Sequence, residues 1–374
     1  MNELEARIRA AINMQEGSIT FARYMEMALY EPGLGYYVRP EAAIGEQGDF
    51  VTAPEMTHLF GAALARQATQ VLQTVGGGIV ELGPGTGKLA FDLLLHLPES
   101  AWPEHYTLVE RSPALREQQS RRLAQLPLAL RQRIGWSDVV PATRGLLLAN
   151  EVLDALRVQC FRTNETTVLP LHVGADADGF GFVEGLPDDG LKAWWQDLTS
   201  RLNLNPDAGY QSERCEDLDA ALATWTEPLE EGLALFLDYG YPEHEYYHWD
   251  RRSGTLLCHH QHQVHADPFV HIGQQDITAS IDFTAAARGL GRAGLRIDGF
   301  CSQAWFLIGC GLETLLLDVQ QGDQALALQA GQAVKRLLLP GEMGDRIQVL
   351  GASRGCDFEW LGFAPNNQAS RLNL

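Results

Sequence analysis

The sequence predicts a doubly wound α/β domain, in which helices cover both faces of a largely parallel sheet. Short apolar segments alternate with helical segments from about residue 79 onward, a pattern typical of parallel strands with right-handed crossovers. A glycine-rich loop, Glu81-Leu-Gly-Pro-Gly-Thr-Gly87, follows the first strand. Acidic residues end the next two strands, at the edge where such sheets bind ligands.

Two amphipathic helices are predicted before the sheet, over residues 3–14 and 18–29, the second capped by Ser18 or Thr20. A stretch rich in glycine and aromatic residues then runs to residue 55, and such long loops are more typical of a functional lid than of a passive connector. A helix is predicted over 55–72. Residues 1–75 are therefore interpreted as N-terminal helices with a lid loop.

Five core strands are predicted, and a sixth apolar strand is expected at the edge of the sheet. The five cover residues 79–82, 106–110, 134–138, 145–149 and 233–238, and the edge strand covers 301–310. Helices are predicted at 89–97 and after Ser112-Pro113. The predicted core thus comprises residues 76–155 together with 232–310.

Residues 156–231 differ in character and are interpreted as an inserted α+β element on the substrate side. Alternating polarity over 158–162, 167–173 and 180–184 predicts an antiparallel meander, followed by a helix at 191–202. The segment 311–374 begins with a stretch rich in Ala, Leu and Gln, and it is predicted to be helical.

The acidic net charge favours some classes of binding partner over others. The chain has 28 Lys and Arg against 48 Asp and Glu, a net charge of -20, which disfavours general binding to nucleic acid or to anionic membranes. A cationic or neutral partner is favoured, although the charge could serve solubility alone. Scattered cysteines, a polar N-terminus and no long apolar run lead us to expect a cytoplasmic protein.

Three ligand chemistries compete for the glycine loop. A P-loop would need glycine where Leu82 stands and a hydroxyl where Leu89 stands, and a dinucleotide loop would need glycine in place of Lys88. The pattern Glu-x-Gly-x-Gly-x-Gly of S-adenosylmethionine-dependent methyltransferases needs neither, because this cofactor has no phosphate. The third interpretation is therefore favoured over an NAD-linked oxidoreductase.

Acids at successive strand ends complete this cofactor interpretation. Glu81 is expected to interact with the methionine amino group, Glu110 with both ribose hydroxyls, and Asp138 with the adenine amino group. The expected cofactor-binding residues are Glu81, Gly83, Gly85, Gly87, Glu110, Asp138 and Asn150.

The fourth strand ends in Ala149-Asn-Glu-Val-Leu-Asp-Ala155, where the departing methyl group is expected. Methyl transfer requires positioning and, for some nucleophiles, removal of a proton. Glu151 and Asp154 form a carboxylate pair that suits a guanidinium, whose planar fork donates two parallel hydrogen bonds. The alternative is structural, with Asp154 capping a helix and Glu151 paired internally.

The histidine-rich segment from His244 to His271 lacks the ligand spacing of known zinc templates, so no metal is expected. His262 and His265 are interpreted as polar lining of the substrate cleft and as candidate proton acceptors. Ordinary surface histidines are the alternative.

These motifs together resemble the MidA-like methyltransferases, a family that includes a mitochondrial complex I assembly factor that methylates an arginine. The matching residues are 19–25, 28–30, 35–37, 48–55, 81–87, 109–113, 149–155, 237–242, 254–256, 262, 265–268 and 276–278. Arg157 and His259 depart from the family pattern, which usually has a proline and a tyrosine there.

The resemblance implies the class I methyltransferase fold, S-adenosyl-L-methionine as methyl donor, and a protein arginine as acceptor. It also implies that residues 48–55 close over the cofactor, which adds Asp49, Thr52 and Glu55 to the candidate cofactor-binding residues. The expected partner is a cationic protein or peptide. Another nitrogen acceptor, a small molecule, or a non-enzymatic assembly chaperone remain alternatives, and the oligomeric state is left open, a dimer included.

Overall fold

A computed structural model of the protein describes residues 2–38, 52–204, 208–321 and 324–374. It begins with α1 (Glu3–Met14), β1 (Ile19–Thr20) and α2 (Phe21–Tyr30). Asn2 and Glu5 form a reciprocal capping box at the start of α1. The Thr20 side chain caps α2 by accepting a hydrogen bond from the amide of Arg23, so the second predicted helix begins three residues later than expected.

The helix predicted over residues 55–72 is in fact two helices, α3 (Ala53–Met56) and α4 (His58–Val75). Thr57 separates them because its backbone is extended, with φ at -164°. Its side chain accepts a hydrogen bond from the amide of Leu59 and so caps α4.

The first half of the core alternates strand and helix as predicted. Its elements are β2 (Gly78–Leu82), α5 (Lys88–His96), β3 (Tyr106–Val109), α6 (Pro113–Leu123), α7 (Leu128–Arg131), β4 (Ile134–Ser137) and β5 (Thr143–Asn150). Ser112 caps α6 through its hydroxyl, and Pro113 occupies the first helical turn.

The inserted element contains the predicted meander and helix. Its elements are β6 (Gln159–Thr163), β7 (Val168–Ala175), β8 (Phe180–Glu184), α8 (Asp189–Leu202), β9 (Gln211–Arg214) and α9 (Leu218–Thr226). β6, β7 and β8 pair antiparallel, which confirms the meander. β1 pairs with β7, with Ile19 opposite Val173, so the N-terminal helices and the insertion share a sheet.

The chain then returns to the core and completes it. The elements are β10 (Leu229–Tyr241), α10 (Glu243–Tyr246), β11 (Leu257–His260), β12 (Gln263–His265), β13 (Asp276–Thr278), β14 (Ile281–Asp282), α11 (Phe283–Arg292), β15 (Arg296–Ser302), α12 (Gln303–Gly309), α13 (Leu312–Gln320), α14 (Gln324–Leu338), α15 (Met343–Arg346) and β16 (Ile347–Arg354). Short 3₁₀ turns lie at Glu99–Ala101, Leu361–Phe363 and Ala369–Leu372.

The main sheet has the order β15-β16-β10-β5-β2-β3-β4, with β14 beside β10. Strands β4, β3, β2, β5 and β10 run parallel, and β16 is antiparallel to both of its neighbours. The chain winds outward from β2 on one side and from β5 on the other, so the strand order reverses between these two strands. This topology confirms the predicted class I methyltransferase fold, and it places the ligand crevice at the carboxyl ends of β2 and β5.

Two predictions about the end of the chain are wrong. Residues 303–309 form α12 instead of continuing an edge strand. Their buried positions Gln303, Phe306 and Leu307, with the buried cap residue Cys310, follow a helical period. The segment predicted to be all helical contributes β16, a buried strand between β15 and β10. The boundaries of the four predicted segments themselves stay a prediction.

Candidate active site

The glycine loop connects β2 to α5 with a backbone that favours glycine. Gly83, Gly85 and Gly87 have φ values of 57°, 52° and 77°, in the left-handed region. A Cβ atom on Gly83 would lie 3.0 Å from the side chain of Val152, and one on Gly87 would lie 3.2 Å from the Cγ atom of Gln119. The loop is therefore closely packed, and any side chain at Gly83 or Gly87 would crowd its neighbours.

Glu81 lies buried at the end of β2, immediately before this loop. The Tyr106 hydroxyl donates a 2.7 Å hydrogen bond to its Oε2 atom. Burial raises the pKa of Glu81 to about 7, because a carboxylate loses its hydration there. The structure thus places this predicted residue beside the crevice, with one carboxylate oxygen already held.

Glu110 follows β3 and is fixed by several donors. Its carboxylate accepts hydrogen bonds from the amide of Ser112 at 2.7 Å and from the Gln119 amide at 3.3 Å. The same Gln119 amide donates to the carbonyl of Gly85 at 2.8 Å. Burial raises the pKa of Glu110. The structure therefore brings Glu110 to the glycine loop, as predicted, through a glutamine that the sequence interpretation missed.

Asp138 lies farther out, just after β4. Its side chain is 74% exposed, and the Arg116 guanidinium forms an ion pair with it at 2.6 Å. Arg116 also donates to the backbone carbonyl of Glu110 at 2.7 Å. Asp138 is therefore at the rim of the crevice, and its predicted contact with the adenine amino group stays a prediction.

The segment expected to close over the cofactor reaches the glycine loop through Glu55. This carboxylate accepts hydrogen bonds from the hydroxyl of Thr86 and, at 3.4 Å, from the guanidinium of Arg122. Thr52 begins α3 without a side-chain cap hydrogen bond. Asp49 lies outside the described residues.

Asn150 and Glu151 occupy the carboxyl end of β5, opposite the glycine loop. The Asn150 amide donates to Glu151 at 3.0 Å, and the amide of Ala53 in α3 is a second donor to this carboxylate. The Asn150 Oδ1 atom is buried, without a hydrogen-bond partner among the described residues. Burial, together with the charge of Asp238, raises the pKa of Glu151 to about 8.

Further carboxylates surround Asp154, which is itself buried. Its pKa is raised well above the usual range, first by burial and then by the charges of Asp238, Asp276 and Glu151. The sequence interpretation missed Asp238 and Asp276 as site residues. Both are buried. Asp238 lies near the end of an apolar strand, whereas Asp276 begins the short strand β13 and has no such sequence signal.

Two tyrosines from the N-terminal segment close this carboxylate cluster, which comprises Glu151, Asp154, Asp238 and Asp276. The Tyr37 hydroxyl donates to Asp276 at 2.9 Å, and the Tyr30 hydroxyl donates to the carbonyl of Ala155 at 3.3 Å. The two rings stack with centroids 5.6 Å apart. The cluster is thus assembled from the N-terminal segment, from β5, from β10 and from β13.

The two predicted histidines lie elsewhere. His262 is exposed in the turn between β11 and β12. His265 is opposite Cys258 in the sheet register, whereas Asp276 is opposite the neighbouring His259. Because successive side chains of a strand point to opposite faces, His265 and Asp276 project from different faces. The structure brings neither His262 nor His265 to the carboxylates, and their role as proton acceptors stays a prediction.

The site fits S-adenosyl-L-methionine better than a phosphate-bearing cofactor. Lys88, the cation that a phosphate would need, is paired with Asp92. The crevice instead offers the carboxylates of Glu81 and Glu110 and the side-chain Oδ1 atom of Asn150, all suited to hydroxyl and ammonium donors. No set of three or more metal-ligating side chains occurs in the described ranges. A cavity of about 620 Å³ between the insertion and α11 is lined by none of the predicted site residues.

Comparison with known proteins agrees with this assignment. Residues 63–301 match the family described as putative S-adenosyl-L-methionine-dependent methyltransferase. A solved structure of a likely methyl transferase from Burkholderia thailandensis, bound to S-adenosyl-homocysteine, is 36% identical, with a TM-score of 0.91 over 98% of this chain and 96% of that one.

Two curated relatives are named mitochondrial protein arginine methyltransferases. The NDUFAF7 homolog of Drosophila melanogaster is 28% identical over 93% of this chain and 84% of its own length. Human NDUFAF7 is 28% identical over 88% of this chain and 79% of its own length. The similarity therefore extends well beyond the glycine loop.

Proposed function

The chain belongs to the family of S-adenosyl-L-methionine-dependent methyltransferases, and on this premise we propose that it methylates a side-chain nitrogen of arginine in a protein or peptide. When bound, the cofactor supplies a methyl group on a sulfonium. Glu81, Glu110 and Asn150 would hold it at the glycine loop. The carboxylate cluster would bind the acceptor.

The main support for arginine as the acceptor is the carboxylate cluster. Glu151, Asp154 and Asp238 are largely withdrawn from water, yet none of them forms an ion pair within the part of the chain that the structure describes. Burial raises the pKa of all three carboxyls, because like charges without a cation nearby are costly in such an environment. A bound guanidinium would stabilise their ionised forms, and its planar fork could bind two carboxylate oxygens at once.

Glu151 is the best candidate for the group that orients and deprotonates the acceptor nitrogen. It lies next to the glycine loop across the strand reversal, since Leu82 of β2 is opposite Ala149 of β5. Its pKa of about 8 is close to the range in which a carboxylate can both hold and release a proton near neutral pH. The stacked rings of Tyr30 and Tyr37 flank the cluster and offer flat surfaces to a guanidinium.

Two further observations support a protein arginine as the acceptor. The curated relatives are named protein arginine methyltransferases. The net charge of -20 favours encounter with a cationic partner.

The test compares methyl transfer to an arginine-bearing peptide and to a matched lysine peptide, with methylarginine measured after hydrolysis. Transfer to the arginine peptide is expected, with a loss of about a hundredfold or more in Glu151→Gln, because general bases contribute at least that factor. Glu104→Gln is the control, since Glu104 is exposed at the opposite end of the sheet, and it should keep full activity. Transfer only to lysine, or full activity of Glu151→Gln, would rule the proposal out.

A further inference from the structure

Gln119 is a fully buried polar residue in α6 that the sequence interpretation did not single out. It makes three hydrogen bonds, two as a donor to the Gly85 carbonyl and the Glu110 carboxylate and one as an acceptor from the Trp136 indole at 2.8 Å. Carbonyl and carboxylate oxygens only accept, and an indole N–H only donates. The orientation of the Gln119 amide is therefore fixed by its partners.

The aliphatic part of Gln119 also contacts the glycine loop. A Cβ atom on Gly87 would approach its Cγ atom to 3.2 Å and its Cα atom to 3.3 Å. One residue thus packs against Gly87, binds the carbonyl of Gly85, and holds an oxygen of Glu110. These contacts join the two parts of the donor site, which belong to different strand–helix connections.

Two neighbouring residues of α6 make similar contacts around the glycine loop. Arg116, Gln119 and Arg122 follow one another at three-residue intervals, which places them on one face of the helix. Arg116 binds the carbonyl of Glu110, and Arg122 binds the carboxylate of Glu55. This face of α6 therefore contacts the glycine loop, the end of β3 and α3.

We propose that Gln119 is a positioning residue for the methyl donor, because its amide holds the Glu110 carboxylate and the glycine loop at the separation that the donor requires. This inference rests on the proposed placement of the donor between the loop and Glu110. It does not depend on the identity of the acceptor. Gln119 acts through Glu110 and Gly85 and not by contact with the reacting atoms.

The experiment measures binding of S-adenosylhomocysteine by calorimetry to the full chain and to two variants. Gln119→Glu keeps the shape and the acceptor for Trp136, but it turns an acceptor toward the Gly85 carbonyl and the Glu110 carboxylate. Gln119→Met keeps the packing against Gly87 and removes all three hydrogen bonds. We expect both to weaken binding about tenfold or more, equivalent to about 1.4 kcal/mol. Glu117→Gln, on the exposed face of the same helix, should bind normally.

Steady-state kinetics test whether Gln119 positions the donor. If Gln119 positions the donor, its variants should raise KM for S-adenosylmethionine and leave kcat at saturating donor within about threefold. The loss in Gln119→Met should also be less than additive with that of Glu110→Gln, because the two residues act together. Folded variants that bind S-adenosylhomocysteine within about twofold of the parent, or strictly additive losses, would overturn the inference. Since binding needs no acceptor, these results are separate from the test of arginine methylation.

Discussion

Asp238 fixes the local geometry of the carboxylate cluster. Asp238 uses its Oδ2 atom to accept hydrogen bonds from the amides of Val152, Leu153 and Asp154, at 3.1, 2.7 and 3.3 Å. These bonds fix the turn that carries Asp154 toward the carboxylate cluster. Burial still raises the pKa of Asp238 to about 7, because backbone donors compensate only part of the lost hydration.

The raised pKa of Glu151 predicts how activity depends on pH. Below about pH 8 the free protein holds this carboxyl protonated, and a protonated carboxyl neither accepts a proton nor attracts a guanidinium. The kcat/KM for the arginine peptide should therefore fall about tenfold for each pH unit below that value. A pH profile of initial rates measures this. A profile that stays flat between about pH 6 and 8 in the parent protein would contradict the role given to Glu151.

The same shifts predict how stability depends on pH. Glu151, Glu81 and Asp238 have folded-state pKa values of about 8, 7 and 7, above their values in an unfolded chain. The folded state therefore binds more protons, and the free energy of unfolding should fall as pH rises from about 5 to 8. Urea denaturation across this range measures the slope. Glu151→Gln should flatten it and should be more stable than the parent by roughly 1 kcal/mol or more near pH 8; an unchanged slope would show that Glu151 does not titrate there.

At the level of single elements, the backbone of the glycine loop predicts the effect of a substitution on stability. Gly87→Ala should lower the free energy of unfolding by about 1–2 kcal/mol, because the backbone is left-handed and the new methyl group would crowd Gln119. Binding of S-adenosylhomocysteine should weaken as the loop shifts. Gly291→Ala is the matched control, since Gly291 lies in α11 with open space around it. It should be neutral or stabilising, and equal effects of the two substitutions would contradict the packing described for the loop.

The sequence predicted those elements whose signal is local. The glycine loop, Glu81 and Glu110 lie within one strand–loop–helix–strand stretch, so their spacing alone places them at one edge of the sheet. The apolar stretch at 301–310 was ambiguous, because a short apolar run fits a buried strand and a buried helix equally well. β16 was missed because it follows four helices with no glycine loop or motif to mark it.

The carboxylate cluster could be predicted only in part. Glu151 and Asp154 follow a strand, and their position was inferred correctly. Tyr37 meets Asp276 across 239 positions of sequence, and no local period records such a contact. The positions of His262 and His265 could not be predicted, because the sequence shows a run of histidines but not which face of a small sheet each one occupies.

At the scale of the whole molecule, the acidic surface should govern the encounter with substrate. With a net charge of -20, the KM for an arginine-rich peptide should rise severalfold between about 20 and 200 mM salt, because salt screens long-range attraction. Binding of S-adenosylhomocysteine, which carries no net charge, should change little and serves as the control. Equal salt dependence of the two would show that the charge serves solubility alone.

The position of β16 has a consequence for biosynthesis. This strand, Ile347–Arg354, lies between two strands that leave the ribosome earlier, β10 and β15. Until it emerges, both neighbours present unpaired edges, and exposed edges of this kind recruit other chains. The gap between β10 and β15 therefore stays open until residues 347–354 have left the ribosome, and the nascent chain is most exposed to pairing with other chains before then.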